Sequence, residues 1–86
     1  MQYELIIKPT AEKSLDKLPR SIRRRIVDAM KELRDSPRPA GVVKLVGDEN
    51  LWRIRIGDYR VLYEIHDDRL MVLVLRVAHR KDVYRS

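Results

Sequence analysis

The spacing of apolar residues along this chain changes its period, and the changes divide the chain into elements. Residues 3–8 (YELIIK) are a short apolar run with a β-branched centre, closed by Pro9, which cannot donate to a strand ladder. They predict a first strand. Thr10 stands where a helix cap is wanted, just before Ala11, and Leu15 and Leu18 give the next turns a narrow apolar stripe up to Pro19. Proline is well tolerated in the first turn of a helix. From Ile22 onward apolar residues recur at Ile26, Ala29, Met30 and Leu33, the three-and-four spacing of one helix face. That second helix ends before SPRPAG, residues 36–41, where two prolines and a glycine predict a loop.

Beyond the loop the period becomes two. Residues 42–46 predict a weak strand, residues 51–56 and 59–65 strong ones, and residues 70–77, almost wholly apolar, a strand inside the sheet. Gly57-Asp58 and Asp67-Asp68 supply the intervening turns. The order β-α-α-β-β-β-β predicts an α+β fold, a two-helix hairpin packed on one face of a mainly antiparallel four- to five-stranded sheet, with residues 1–86 in one domain.

Register then gives the charges a meaning. A two-residue loop at Gly57-Asp58 sets Ile56 opposite Tyr59, Arg55 opposite Arg60 and Ile54 opposite Val61. Trp52, Ile54 and Ile56 share the helix-facing side with Tyr59, Val61, Tyr63 and Ile65, and Arg53, Arg55 and Arg60 project from the other. Two like charges about 5 Å apart repel by roughly 1 kcal/mol even in water. A phosphate between them would receive forked donors from both strands, a geometry that suits arginine better than lysine. A plain solvated sheet face is the alternative.

Composition narrows the partners. Nineteen Lys and Arg against thirteen Asp and Glu leave a net charge of +6, which favours a polyanion over a small neutral ligand. With no cysteine, a disulfide scaffold and a thiolate zinc site are excluded. Two histidines without carboxylates at ligand spacing predict no metal and no cofactor. No window is long or apolar enough to span a bilayer or act as a secretory signal, so a soluble cytoplasmic protein without a membrane partner is expected.

The tail AHRKDVYRS gathers His79, Arg80, Lys81, Tyr84 and Arg85 after the last strand, whose end would bring them towards the arginine face. Cleaving RNA without a metal requires a base for the 2′-hydroxyl proton, cations for the charged phosphorane, and a donor for the leaving 5′ oxygen. His79 could move the proton and the arginines supply the charge, although His79 also suits an ordinary strand end and Tyr84 an ordinary tail. Arg23, Arg24 and Arg25 spread over more than half a helix circumference and fit a solvated face. Trp52 fits the core, and Asp67-Asp68 a turn rather than a metal site.

Taken together, KLVGDENLWRIRIGDYRVLYEI, the apolar strand after it and RVAHRKDVY resemble the RelE branch of the RelE/ParE superfamily of bacterial and archaeal toxin–antitoxin systems. The resemblance covers almost the whole chain, including the opening YELIIKPTAEKSLDKLP. It implies a microbial-ribonuclease-like fold and a toxin that enters the ribosomal A site and cuts messenger RNA there. It also implies a cognate, RelB-like antitoxin that wraps the toxin in a heteromeric complex and blocks its basic face. Carried over by position, Arg53, Arg55, Arg60, Arg80 and Tyr84 fall on the family's active-site places, with His79 near them, while Lys81 and Arg85 add charge for RNA. The well-studied pattern has lysines at the places of Arg53 and Arg55. Arginine clamps phosphate well but gives up no proton, so the proton chemistry is expected in HRKDVY. A ParE-type member would instead inhibit DNA gyrase on a similar fold, and a basic nucleic-acid-binding module is a third possibility.

Overall fold

The computed structural model describes residues 2–47, 50–79 and 81. The elements run β1 (Glu4–Ile7), α1 (Pro9–Asp16), α2 (Arg20–Glu32), β2 (Val43–Lys44), β3 (Leu51–Ile56), β4 (Tyr59–His66) and β5 (Met71–His79). They form a five-stranded sheet in the order β1-β5-β4-β3-β2. Only β1 and β5 pair in parallel, and the remaining neighbours are antiparallel. The expected helical hairpin on a mainly antiparallel sheet is therefore the observed one, and the apolar run of β5 lies inside the sheet as its composition requires.

Two helix starts differ from expectation. Pro9 itself occupies the first helical position, with Lys8 as the N-cap, so Thr10 caps nothing. The Thr10 hydroxyl instead donates to the Leu75 carbonyl at 3.3 Å, tying α1 to β5. Pro19 sits one step earlier than expected, as the N-cap of α2, where its missing N–H costs no helical bond. The weak strand over 42–46 shrinks to two paired residues, because Val42 is drawn back by a hydrogen bond to Pro39 and Gly47 turns the chain at φ +95. The last strand runs on past Val77 to His79.

The helices lie on one face. Ala11, Leu15, Ile26, Met30 and Leu33 pack with Val61, Tyr63, Ile65, Val72, Val74 and Val77 in a single buried cluster. Truncating a fully buried member such as Ile26 or Met30 to alanine costs about 2–5 kcal/mol in cores of this kind. The opposite face carries no helix among the described residues, and that is the face the arginines share. No helix among the described residues is long and apolar enough to cross a membrane.

Candidate functional site

The site begins at the hairpin between β3 and β4. Gly57 takes φ +60, a left-handed conformation that glycine adopts without strain, and closes a two-residue loop with Asp58. A Cβ at Gly57 would lie 3.5 Å from the Arg25 Nη1, so the second helix reaches across to this turn. The tight loop pins the register: Ile56 pairs with Tyr59, Arg55 with Arg60, Ile54 with Val61 and Arg53 with Leu62. Val61 is buried beneath the helices, so strand alternation turns Arg53, Arg55 and Arg60 together onto the open face.

The three arginines differ in exposure. Arg55 is exposed, Arg53 half-buried, and Arg60 only 9% exposed, the one buried charged residue among those described. Arg55 bends toward the tip, where its Nε donates to the Gly57 carbonyl at 2.9 Å, and this splays it from Arg60 across the ladder. Burial works against that relief. Water screens the pair less on the Arg60 side than on that of the exposed Arg55.

A further arginine joins them from β5. Leu62 pairs with Arg76 but Tyr63 pairs with Val74, so Leu75 is an extra residue in β5. Val72 and Val74 are buried in strict alternation, whereas past the bulge Val77 and Ala78 are buried and Arg76 is exposed. The row across the sheet reads Arg53, Leu62, Arg76, and the row beside it Arg55, Arg60, Ala78. Arg76 escapes a reading of the chain by simple alternation. The available signal is the arginine itself, standing at the step where a buried apolar residue is due. Among the described residues, Arg53, Arg55 and Arg76 form no ion pair.

His79 lies elsewhere. It pairs with Tyr59 on the helix-bearing side, with the two rings edge to face at a centroid distance of 5.3 Å. Its Nδ1 accepts the backbone N–H of Lys81 at 3.3 Å, which leaves the proton of the neutral ring on Nε2. The expectation that the strand end carries His79 to the arginine face is thus corrected, because the bulge at Leu75 reverses which side the last residues of β5 face. Lys81 is exposed at the same end of the strand. Arg80, Tyr84 and Arg85 lie outside the described residues.

Two hollows flank Tyr59 on the helix side. One of about 640 Å³ is floored by Ile22, Ile26, Ile54 and Ile56, and another of about 490 Å³ lies between Leu18 and His79 and is bordered along β5 by Arg76 and Ala78 as well. At the other end of the sheet the charges are satisfied internally. Arg38 reaches both Asp67 oxygens, at 3.3 and 2.8 Å, and lies 5.0 Å from the centre of the Trp52 ring. The Tyr3 hydroxyl donates to Asp67 at 2.7 Å. The arginine and the tyrosine together hold the Asp67 carboxyl below its usual range. Trp52 packs against the core as expected, while Asp67 does more than turn the chain.

Residues 5–84 match the family model of the ParE toxin of the type II toxin–antitoxin system. Toxin RelG of Mycobacterium tuberculosis is 36% identical over 86 residues, covering 99% of both chains. The archaeal RelE–RelB complex from Pyrococcus horikoshii contains a chain of the same fold, with a TM-score of 0.84 and 32% identity over 93% of this chain and 97% of that one. The toxin–antitoxin complex RelBE2 from Mycobacterium tuberculosis gives a TM-score of 0.77 and 35% identity over 93% and 100%.

Proposed function

The chain belongs to the ParE toxin family of type II toxin–antitoxin systems, with RelE-named toxins among its relatives, and we propose that it is a ribosome-dependent endoribonuclease that cuts messenger RNA in the A site. The observation that carries this reading is Arg55 opposite Arg60 on an open sheet face, with Arg60 buried and Arg53 and Arg76 in the adjoining row. Arginines facing each other across a ladder can offer forked donors from two strands to one phosphate.

In this mechanism the 2′-hydroxyl attacks the adjacent phosphorus and the 5′ oxygen leaves. Arg55 and Arg60 bind the non-bridging oxygens, whose charge grows in the phosphorane-like transition state, so their attraction is stronger there than in the ground state. Low exposure around Arg60 raises the effect, since each charge acts through less water. Neither arginine gives up its proton. His79, turned to the helix side with Nδ1 engaged, suits a structural role at the end of β5. Proton transfer and orientation of the ribose therefore fall to Tyr84, with Arg80 as a further cation, both carried over from the RelE resemblance. This chemistry calls on side chains alone, which makes the reaction metal-independent.

The relatives' solved complexes support a RelB-like antitoxin as this chain's partner, and a net charge of +6 would favour an acidic binding segment. In a purified translation system containing a chelator, wild-type protein should produce A-site cuts detectable by mapping messenger RNA ends. Intact messenger RNA together with inhibited gyrase supercoiling would instead identify a ParE-type toxin, the reading favoured by the description of the matching family model.

A further inference from the structure

The mechanism above uses one row of the open face. We infer that Arg53 and Arg76, on either side of Leu62, form a second phosphate site, so that the face holds two successive phosphates of one RNA strand; this rests on the ribonuclease reading.

The bulge at Leu75 is the first ground. Unbroken alternation would drive Arg76 into the core after Val72 and Val74, both 0% exposed. Burying an unpaired guanidinium costs several kcal/mol, so a chain that needed only a strand here would carry an apolar residue. Instead the extra residue re-aims the side chain outward, as bulges near binding sites commonly do. The second ground is that Arg76, although it also borders the hollow beside α1, has no counter-charge of its own. It is exposed and forms no ion pair among the described residues.

Spacing is the third. Successive same-face residues on a strand are about 7 Å apart, so the Arg53–Arg76 row lies about 7 Å from the Arg55–Arg60 row. That is of the order of the distance between neighbouring phosphates on one nucleic-acid strand. Within the new row the two backbones are two strand spacings apart, roughly 10 Å, which two arginine side chains can close over one anion. Leu62, half-buried between them, offers an apolar floor to a sugar or base edge.

The probes are a dinucleotide with one phosphodiester and a trinucleotide with two, both 2′-deoxy at the scissile position and titrated calorimetrically against the full chain. Wild type should bind the trinucleotide about tenfold more tightly, as one added charge-assisted contact gives. Arg76→Ala should lose that advantage and leave dinucleotide binding unchanged, while Arg76→Lys should recover part of it. An Arg76→Ala protein that keeps the advantage, or loses affinity for both probes equally, overturns the second site. Wild type that binds neither probe and leaves messenger RNA intact overturns the ribonuclease reading along with it, a result distinguishable from failure at Arg76 alone.

Discussion

Arg60 and Arg38 lie at opposite ends of β4, the first beside the 57–58 turn and the second against the 67–70 turn. Arg38 has a carboxylate that takes two of its nitrogens, an indole ring beneath it, and a tyrosine sharing the same carboxylate. Arg60 is more deeply buried, yet its partner across the ladder is another arginine. One end of the sheet neutralises its cation within the molecule. The other gathers arginines in two adjoining rows of the sheet. On the proposed function the same residue type clamps the fold in one place and the substrate in the other, and substitutions should separate the two.

Arg60→Ala should have the largest effect. Losing one preorganised cation aimed at the transition state typically lowers the rate by 10²–10³-fold, about 3–4 kcal/mol. Cleavage mapped in the translation system should fall by that order while circular dichroism keeps its folded signature. Arg38→Ala should leave cleavage within a few-fold. Equal rates for the two variants would remove the distinction and the proposed site with it.

Tyr63→Phe tests the closed end, where the buried Tyr63 hydroxyl donates to the Pro37 carbonyl at 2.7 Å and holds the 36–41 loop against the sheet. Removing that donor should cost roughly 1–2 kcal/mol in a urea titration, with cleavage unchanged. A loss of cleavage without a loss of stability would mean that the two ends are coupled.

How much of this was legible in the chain differs between the same two ends. A two-residue loop and strict alternation place Arg53, Arg55 and Arg60 on one face from the sequence alone, because their neighbours are local. The Arg38–Asp67 pair is separated by 29 residues and Tyr3–Asp67 by 64, and one member stands in a proline-rich loop with no period to read. Arg76 and His79 escape a reading of this kind for a third reason. A single inserted residue inverts every side chain after it, and an apolar strand gives little warning of where that occurs.

Protonation gives a smaller effect, again divided by location. The Asp67 carboxyl is held below its ordinary range, so its contribution is complete above about pH 4 and is lost as pH falls through the lowered value. The Tm gap between wild type and Asp67→Asn should shrink on acidification below pH 4. Burial pushes the Tyr63 hydroxyl up to about 12, opposed weakly by Arg38. Its contribution is complete below about pH 10, where the unfolded tyrosine begins to ionise, and is lost as pH rises towards 12. Tyr63→Phe should remove that alkaline slope, and a slope unchanged by the substitution would assign it to another group.

The smallest effect is also the one with the least expected sign. Arg55→Gln removes a charge from opposite Arg60 but keeps a side-chain N–H long enough to approach the Gly57 carbonyl that Arg55 now contacts. If the open face stores like-charge repulsion, this variant should be more stable than wild type by about 0.5–1 kcal/mol in low salt while cleaving RNA more slowly. The gain should fade in 1 M salt, where screening extends over only about 3 Å. Replacing Arg38 with glutamine should do the reverse, lowering stability, because that cation already has its counter-charge in Asp67. A gain from Arg55→Gln that persists in high salt would point to strand propensity or packing, and the open end would then hold no electrostatic strain for a phosphate to relieve.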